Sequence, residues 1–365
     1  MENILKKIEE DSLTRDDLIK LLELNDEKDI AALYAKAYDE KLKQVGKKVY
    51  FRGIIELSNI CDKDCYYCGI RKSNENVERF KIPKEDIITS AIWAYENNYG
   101  SIVLQSGELQ NDNFTNYIEE ILLAIKDKTN GELGVTLSLG EQTDEVYQRW
   151  FNAGAHRYLL RIETTNAALY AKLHPENHSF EDRKECLLRL KKLGYQVGTG
   201  VMIGLPFQSI ENLADDIIFF KENDIDMIGM GPYIPHKETP LASEMPFFDN
   251  KTGEKQLEMG LKMIAITRLY LKDVNIAATT ALQALHPQGR EQGLQAGANI
   301  IMPNVTDTKY RASYQLYDNK PCLDENSSMC RSCLSKRVDS IGEEVGFNEW
   351  GDSPHFFKRN KNKKI

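Results

Sequence analysis

The sequence has no apolar run long enough to cross a membrane. Nothing in the 365 residues approaches the roughly 20 consecutive apolar residues that a membrane-spanning helix needs. The first residues, Met-Glu-Asn-Ile-Leu-Lys-Lys, also lack the continuous apolar stretch of a signal peptide. We therefore expect a cytoplasmic protein.

An excess of positive charge is missing as well. The chain carries 47 Lys and Arg against 56 Asp and Glu, a net charge of -9 at pH 7. Nucleic acids and anionic membrane surfaces both attract a basic face, so neither is expected as the main partner. With 41% hydrophobic and 28% charged residues the composition is ordinary for a globular protein. A small-molecule substrate fits this balance better.

The chain contains no internal repeat and no linker rich in Pro, Gly or Ser. From about residue 50, short β-rich runs alternate with amphipathic helices, a pattern that predicts a parallel sheet built from βα units. The predicted strands are 51–58, 101–106, 134–139, 157–163, 196–203, 227–231, 275–280 and 299–302. Eight such strands favour an α/β fold of the closed (β/α)8 TIM-barrel type over an open sheet. Barrels of this kind carry their chemistry at the carboxyl ends of the strands.

Three parts of the chain are expected. Residues 1–46 should form an N-terminal helical cap, in which Thr14 and Asp17 make a capping box. Residues 47–320 should form the barrel. Residues 321–365 should form a short C-terminal extension, whose basic tail at 358–364 is expected to be a solvated, frayed end.

Three cysteines, Cys61, Cys65 and Cys68, directly follow the first predicted strand. In a reducing cytosol, clustered cysteines favour a metal site over disulfides. A cubane of four irons normally takes four thiolates, so three leave one iron open to bind a chelating ligand. A zinc site is the alternative, but zinc needs a fourth Cys or His. No histidine precedes His156, which argues for an iron-sulfur cluster.

Two predicted strands carry polar side chains on one face. Thr136 and Ser138 alternate on the third strand, and Arg157, Arg161 and Glu163 alternate on the fourth. Buried charges are rarely left unpaired. Arg157, Arg161 and Glu163 should therefore either pair with one another or meet a charged ligand, and the alternative is a salt bridge at the barrel bottom.

A second cysteine group, Cys322, Cys330 and Cys333, follows the last predicted strand. We interpret it as a second iron-sulfur site. The alternatives are a zinc site or a vestigial site that only fastens the terminal segment. Cys186 falls in a helical run and is predicted to be a packed core thiol.

The first cysteine group, with its spacing of three and then two residues, resembles the motif of radical-SAM enzymes. Gln105, Ser106, Gly107 and Glu108 resemble the Gly-Gly-Glu motif of that superfamily, with a departure in the first residues. A wider set of segments resembles the HydE family of radical-SAM maturases, which help to build the diiron centre of FeFe-hydrogenase. These segments are 58–71, 103–108, 157–164, 229–236, 278–280 and 297–304.

The resemblance implies an enzyme that reductively cleaves S-adenosylmethionine (SAM) to a 5′-deoxyadenosyl radical and acts on a thiol-bearing, iron-bound precursor. It implies a 4Fe-4S cluster on Cys61, Cys65 and Cys68, and an accessory 2Fe-2S cluster on the second cysteine group, as found in some family members. The implied SAM neighbours are Tyr67, Gln105, Ser106, Gly107, Glu163, Arg183 and Met202. The implied substrate contacts are Thr136, Ser138, Arg157, Arg161, Thr279, Thr280, Met302, Tyr314 and Tyr317. The implied partners are other hydrogenase maturation proteins and an electron donor.

Three other functions are compatible with parts of this pattern. A methylornithine synthase would share the barrel but is expected to lack the second cysteine group. A biotin synthase should carry cysteines on its barrel strands, and none of the predicted strands here contains one. A non-catalytic iron-sulfur carrier would need no SAM pocket. The natural substrate, the oligomeric state and the reductant leave no motif in the sequence.

Overall fold

Parallel strands surrounded by helices make up most of the structure, a computed structural model that describes residues 2–324 and 326–362. The strands are β1 (Lys48–Ser58), β2 (Ser101–Ser106), β3 (Gly134–Ser138), β4 (Ala155–Leu159), β5 (Gln196–Thr199), β6 (Met202–Ile203), β7 (Met227–Ile228), β8 (Gly231–Pro232), β9 (Asn275–Ile276), β10 (Ile300–Ile301) and β11 (Glu344–Val345). Every pairing between them is parallel.

The strands form a curled sheet in the order β10-β1-β2-β3-β4-β5-β7-β9. Its two ends meet at a parallel bridge between Ala277 and Ile300, where the N–H of Ala278 donates to the carbonyl oxygen of Ile300 at 2.9 Å. The predicted TIM-barrel fold class is therefore confirmed.

Two predicted strands, 196–203 and 227–231, are each interrupted in the structure. The first divides into β5 and β6, and the second into β7 and β8, which pair with each other beyond the main sheet. The breaks fall at Gly200 and Gly229, whose backbones approach closely. A Cβ atom on Gly200 would lie 2.1 Å from the carbonyl oxygen of Gly229.

Helices separate most of the strands, and several begin at a side-chain cap. Asn111, Thr143 and Ser209 cap the helices that follow them. The helices are α1 (Glu2–Glu9), α2 (Arg15–Leu22), α3 (Glu27–Gln44), α4 (Lys84–Glu96), α5 (Asp112–Lys128), α6 (Asp144–Asn152), α7 (Ala167–Leu173), α8 (Phe180–Lys192), α9 (Ile210–Glu222), α10 (Asn250–Leu271), α11 (Thr280–Leu285), α12 (Gly289–Gln295), α13 (Thr308–Arg311), α14 (Ser327–Ser340) and α15 (Pro354–Asn362). In the described ranges, no helix has the length and apolarity that a membrane span requires.

The N-terminal helices pack on the outside of the barrel. Helices α2 and α3 contact α9 and α10, and the predicted capping box between Thr14 and Asp17 is present. Lys41 of α3 reaches Glu343 of the C-terminal extension at 2.5 Å, and both side chains are fully buried. The extension also adds β11 to the start of β1. The domain boundaries at 46/47 and 320/321 stay predictions.

The C-terminal extension closes the end of the barrel at which the strands begin. Arg157 is fully buried and donates to Asp352 Oδ1 and to the carbonyl oxygen of Trp350, both at 2.8 Å. Its Nε also donates to Thr136 Oγ1 at 3.1 Å. Of the outcomes expected for the charged residue Arg157, the salt bridge at the barrel bottom is the one observed.

Residues 358–362 of the basic tail are helical, so the expectation of a frayed end is wrong for them, whereas the Lys358 side chain is solvated as expected, with an exposure of 64%. Helix α15 includes Arg359, whose guanidinium contacts Asp226 at 3.0 Å and Asp224 at 3.6 Å. Because these carboxylates lie just before β7, the ion pairs of Arg359 hold the tail against the barrel. Lys363 and Lys364 lie outside the described residues.

Candidate active site

A cavity of about 330 Å³ lies at the carboxyl ends of the strands. The residues that line it come from many segments, the first at Ile54 and the last at Lys320. Cys61, Cys65 and Cys68 all line it. So do all the predicted SAM neighbours, which are Tyr67, Gln105, Ser106, Gly107, Glu163, Arg183 and Met202. We refer to this cavity as the upper chamber. Residues from loops far apart in the sequence converge there, as expected for a barrel of this type.

The cysteine loop after β1 is held by two polar side chains. Asn59 Nδ2 donates to the carbonyl oxygens of Glu78 at 2.8 Å and Ser313 at 2.7 Å. Arg79 Nη1 donates to the carbonyl oxygens of Asn59 at 2.7 Å and Ile70 at 2.8 Å. Because the loop lacks regular secondary structure, these bonds satisfy backbone groups that would otherwise be buried without partners. The sequence alone assigned a role to neither residue.

The end of β2 packs directly against the cysteine loop at Gly107. A Cβ atom there would lie 2.2 Å from the carbonyl oxygen of Ile60 and 2.8 Å from Cβ of Cys61. The next backbone N–H, that of Glu108, lies 3.3 Å from Sγ of Cys61 and donates to it. Glycine is therefore required for this contact, which gives one sulfur a hydrogen-bond donor.

The three thiols fit an iron-sulfur cluster in chemistry and position. Burial raises the pKa of Cys61, Cys65 and Cys68, that of Cys65 to about 12. Buried thiols stay protonated without a compensating positive charge, and bound iron supplies that charge and displaces the protons. Three thiols lining one cavity also leave room for the open iron position that three ligands imply.

Two histidines missed by the sequence analysis adjoin this loop. Within the described residues, one set of three potential ligand atoms lies within 4.8 Å of one another, and it consists of Cys65, His174 and His178. Burial lowers the pKa of His174 to about 3 and that of His178 to about 4, so both rings are neutral. No local sequence pattern marks these histidines, because they reach the cysteine loop only through the packing of the segment between α7 and α8.

A network of paired charges borders the chamber. Glu141 forms salt bridges with Arg183 at 2.7 Å and with Lys63 at 3.0 Å. Glu108 lies 3.3 Å from Lys63 and 3.6 Å from Arg183. Burial raises the pKa of Glu108, whereas the two cations outweigh burial at Glu141 and lower its pKa. Mutual pairing allows four charged side chains to remain beside the cysteine loop.

Glu163 has a strained backbone beside the chamber. Its φ of 65° is in the left-handed region, which costs a non-glycine residue roughly 1–2 kcal/mol. Its carboxylate contacts Arg161 at 2.9 Å, and burial raises its pKa. Strain of this kind is concentrated at functional sites. The prediction that Arg157, Arg161 and Glu163 share one strand is wrong, because β4 ends at Leu159.

Most of the predicted substrate contacts line the upper chamber. They are Ser138, Arg161, Thr279, Thr280, Met302, Tyr314 and Tyr317. Thr136 and Arg157 do not line it, because both are engaged at the opposite end of the barrel. Among the described atoms, Thr279 Oγ1 and the Tyr233 hydroxyl are buried without a hydrogen-bond partner.

The segment 312–320 lies across the chamber, and we refer to it as the strap. Gln105 Nε2 donates to the Tyr314 hydroxyl at 3.2 Å, and the N–H of Gly69 donates to the carbonyl oxygen of Leu316 at 3.0 Å. Lys320 Nζ contacts Glu56 at 2.5 Å. The strap thus connects the cysteine loop, β1 and β2.

The second cysteine group lies beyond the strap and does not line the upper chamber. Cys330 is buried, Cys333 is exposed, and Cys322 has a φ of 64°. Arg311 donates to the carbonyl oxygen of Cys322 at 3.0 Å. Cys186, on α8, is buried as predicted.

Comparisons with known proteins agree with this architecture. The family model described as the radical SAM superfamily matches residues 55–220. The chain is 45% identical to the [FeFe] hydrogenase maturase subunit HydE of Thermotoga maritima, over 97% of this chain and 98% of that protein. It is 27% identical to 3-methylornithine synthase of Methanosarcina acetivorans, over 93% and 92% of the two chains.

Two solved structures share the fold. Methylornithine synthase (PylB) superposes with a TM-score of 0.81 at 24% identity, covering 94% of this chain and 98% of that one. The FeFe-hydrogenase maturase HydG from Carboxydothermus hydrogenoformans superposes with a TM-score of 0.78 at 20% identity, covering 95% and 79%. At these identities the likeness establishes the barrel alone.

A parallel barrel with a three-cysteine loop after its first strand, together with the matching family model, defines a radical-SAM enzyme. Enzymes of this superfamily use a 4Fe-4S cluster and SAM. Nearly full-length identity of 45% goes further. The chain belongs to the HydE family of that superfamily.

Proposed function

We propose that this protein acts in the assembly of the diiron centre of FeFe-hydrogenase, with a thiol-bearing, iron-bound precursor as its substrate. The observation that carries the proposal is the 45% identity to a hydrogenase maturase over 97% of the chain. The identity to methylornithine synthase, the main alternative, is 27%. Other maturation proteins and an electron donor are the proposed partners.

Cys61, Cys65 and Cys68 would hold the 4Fe-4S cluster, and three protein ligands would leave one iron available to SAM. A bound and reduced cluster would supply the electron for cleavage of SAM to methionine and a 5′-deoxyadenosyl radical. The Glu108 N–H stabilises the Cys61 thiolate through its hydrogen bond at 3.3 Å. Asn59 and Arg79 keep the loop in the conformation that presents all three sulfurs.

The residues that contact SAM are proposed to be those of the chamber wall nearest the cysteine loop. Gly107 lets the backbone approach the ligand closely. Glu163 offers a buried carboxylate that accepts hydrogen bonds, and Arg183 is already oriented by Glu141. The remaining proposed contacts are Tyr67, Gln105, Ser106 and Met202.

The substrate is proposed to bind deeper in the same chamber. Arg161 supplies a cation, and the hydroxyls of Ser138, Thr279 and Thr280 supply hydrogen bonds, a combination that suits an anionic ligand. Met302, Tyr314 and Tyr317 complete this wall. Both tyrosines belong to the strap, which would exclude water from the radical reaction.

We also propose that Cys322, Cys330 and Cys333 bind an accessory 2Fe-2S cluster that is not needed for SAM cleavage, because the group lies outside the chamber. Replacing all three by serine should lower the iron content of reconstituted protein but leave 5′-deoxyadenosine formation largely intact. Complete loss of cleavage with the first cluster still loaded would reverse the two roles.

Deletion of the gene tests the proposed function. The hydrogenase polypeptide should accumulate without activity, and wild-type protein should restore activity while the Cys65→Ala variant should not. Continued hydrogenase activity together with failure of methylornithine or biotin synthesis would instead support the alternative enzymes.

A further inference from the structure

The segment between α7 and α8 brings two buried histidines against the cysteine loop. His174 and His178 are 3% and 8% exposed, and their ring centroids are 5.6 Å apart. The backbone N–H of Tyr66, between two of the loop cysteines, donates to the carbonyl oxygen of Leu173 at 2.9 Å. This contact fixes the histidine segment against the loop.

The hydrogen bonds of His174 define its tautomer. Nδ1 lies 2.9 Å from the carbonyl oxygen of Tyr170, and because a carbonyl only accepts, Nδ1 must carry the proton. Nε2 therefore accepts from the Tyr67 hydroxyl at 3.3 Å. The ring also stacks on Tyr170 with centroids 3.9 Å apart. His174 is thus held rigidly and in turn supports the loop and the neighbouring ring of His178.

His178 approaches a proposed cluster ligand. Its Nδ1 lies 3.9 Å from Sγ of Cys65, at the long end of the range for an N–H···S hydrogen bond. A single metal ion bound by Cys65, His174 and His178 is the competing interpretation. That ion would require the Cys65 thiolate, which the cluster already uses, and it would break the hydrogen bonds that hold His174. An N–H of His178 that donates to Cys65 Sγ leaves this sulfur available to the cluster and keeps the hydrogen bonds of His174.

We propose that His178 is a positioning residue for the 4Fe-4S cluster, whose imidazole N–H donates to the Cys65 thiolate and raises the reduction potential of the cluster. The inference rests on the proposed ligation by Cys61, Cys65 and Cys68. Hydrogen bonds to the sulfurs of a cluster stabilise its more negative, reduced form, and outer partners of metal ligands orient them. The effect is therefore on the ease of reduction and not on the presence of the cluster.

The test compares three variants of the reconstituted full-length protein. His178→Leu removes the donor, and His178→Gln retains an N–H donor. His286→Leu is the matched control, because His286 lies at the end of α11 and accepts from the backbone N–H of Gln288. Reduction is followed by electron paramagnetic resonance during a redox titration, with iron and sulfide measured in each sample.

For His178→Leu, the ratio of reduced to oxidised cluster at a fixed solution potential should fall about tenfold, or roughly 59 mV for a one-electron couple. His178→Gln should recover much of this shift, and His286→Leu should match the wild type. An unchanged potential in fully loaded His178→Leu would overturn the proposal. So would loss of iron from both His178 variants, which would assign a ligand or folding role. Failure of wild-type protein to load a cluster at all would contradict the proposed function itself.

Discussion

Both ends of the barrel bury paired charges, but the upper end places its pairs around a cavity that also contains the three loop thiols. At the lower end, Arg157 and Asp352 are 2.8 Å apart, and the carbonyl oxygen of Trp350 accepts a second hydrogen bond from Arg157. At the upper end, Thr279 Oγ1 lacks a partner among the described atoms, Glu163 has a strained backbone, and the thiol of Cys65 is buried. Pairs that join the barrel to its C-terminal extension stabilise the fold, whereas groups that line a cavity are available to a cofactor and a substrate.

The largest effect is expected from a substitution that obstructs the close contact between the end of β2 and the cysteine loop. Gly107→Ala would place a methyl group 2.2 Å from a backbone oxygen, which cannot move without displacing the loop. Displacement by about 1 Å can reduce catalysis by about 100-fold. We expect a loss of SAM cleavage of at least this size, measured as 5′-deoxyadenosine formed per iron.

Gly253→Ala is the matched control for this substitution. Its new methyl group would lie 3.5 Å from Leu285, which is an ordinary van der Waals contact. Gly253 is also distant in the sequence from the cysteine loop. Cleavage should be unchanged in this variant. A wild-type rate in Gly107→Ala would show that the close approach of β2 is not needed.

The opposite result is expected at the lower end, where a substitution should affect stability and not catalysis. Asp352→Asn leaves the buried Arg157 without its charged partner, and breaking a buried pair costs about 3–5 kcal/mol. Urea unfolding should show a decrease of this order in the free energy of unfolding. Asp307→Asn, at a half-exposed salt bridge to Lys309, should cost less than about 1 kcal/mol. Equal costs would remove the distinction between the two kinds of pair.

The same pair predicts how stability depends on pH. Burial opposes ionisation of Asp352, but a hydrogen bond with His156 and the charge of Arg157 outweigh it and hold the pKa of Asp352 below its usual value. Because the unfolded carboxyl has a pKa of about 3.9, the stabilisation is present above that pH and is lost as the pH falls. The difference in unfolding free energy between wild type and Asp352→Asn should therefore shrink in acid. A constant difference down to acid pH would be inconsistent with this linkage.

A smaller effect is expected from Glu163→Gln in the upper chamber. The substitution preserves the shape of the side chain but removes its charge, and hydrogen bonds to charged groups contribute about 1.5–3 kcal/mol. The KM for SAM should rise about tenfold, since 1.4 kcal/mol corresponds to a factor of ten. Initial rates at varied SAM concentration measure this change. An unaltered KM would remove Glu163 from the proposed binding site.

The sequence was sufficient for the barrel and for the convergence of the three loop cysteines, because strand periodicity and cysteine spacing are local signals. It was insufficient where distant segments meet. Arg157 pairs with Asp352, 195 residues away, so a side chain predicted to contact substrate is used at the barrel bottom. The alternation of polar residues assigned Glu163 to a strand. Its positive φ reflects tertiary packing, which the periodicity of side chains in the sequence does not reveal.

The histidines beside the cysteine loop illustrate the same limit. The chain has six histidines, and the spacing of His174 and His178 on an irregular segment carries no specific meaning by itself. Their importance appears only when Leu173 is seen bonded to the backbone of Tyr66, which brings both rings to the loop. The sequence therefore identified the three cysteines that line the chamber but not the histidines that pack against their loop.

The most direct test of the central claim is the formation of 5′-deoxyadenosine by the reconstituted protein. Protein loaded with iron and sulfide is incubated with SAM and dithionite, and the nucleoside is quantified by chromatography. Wild type and the buried-thiol control Cys186→Ala should both form it, whereas Cys61→Ala, Cys65→Ala and Cys68→Ala should not. A loaded wild-type cluster that produces none, or continued cleavage by any of the three loop variants, would contradict the assignment of the upper chamber as a radical-SAM site.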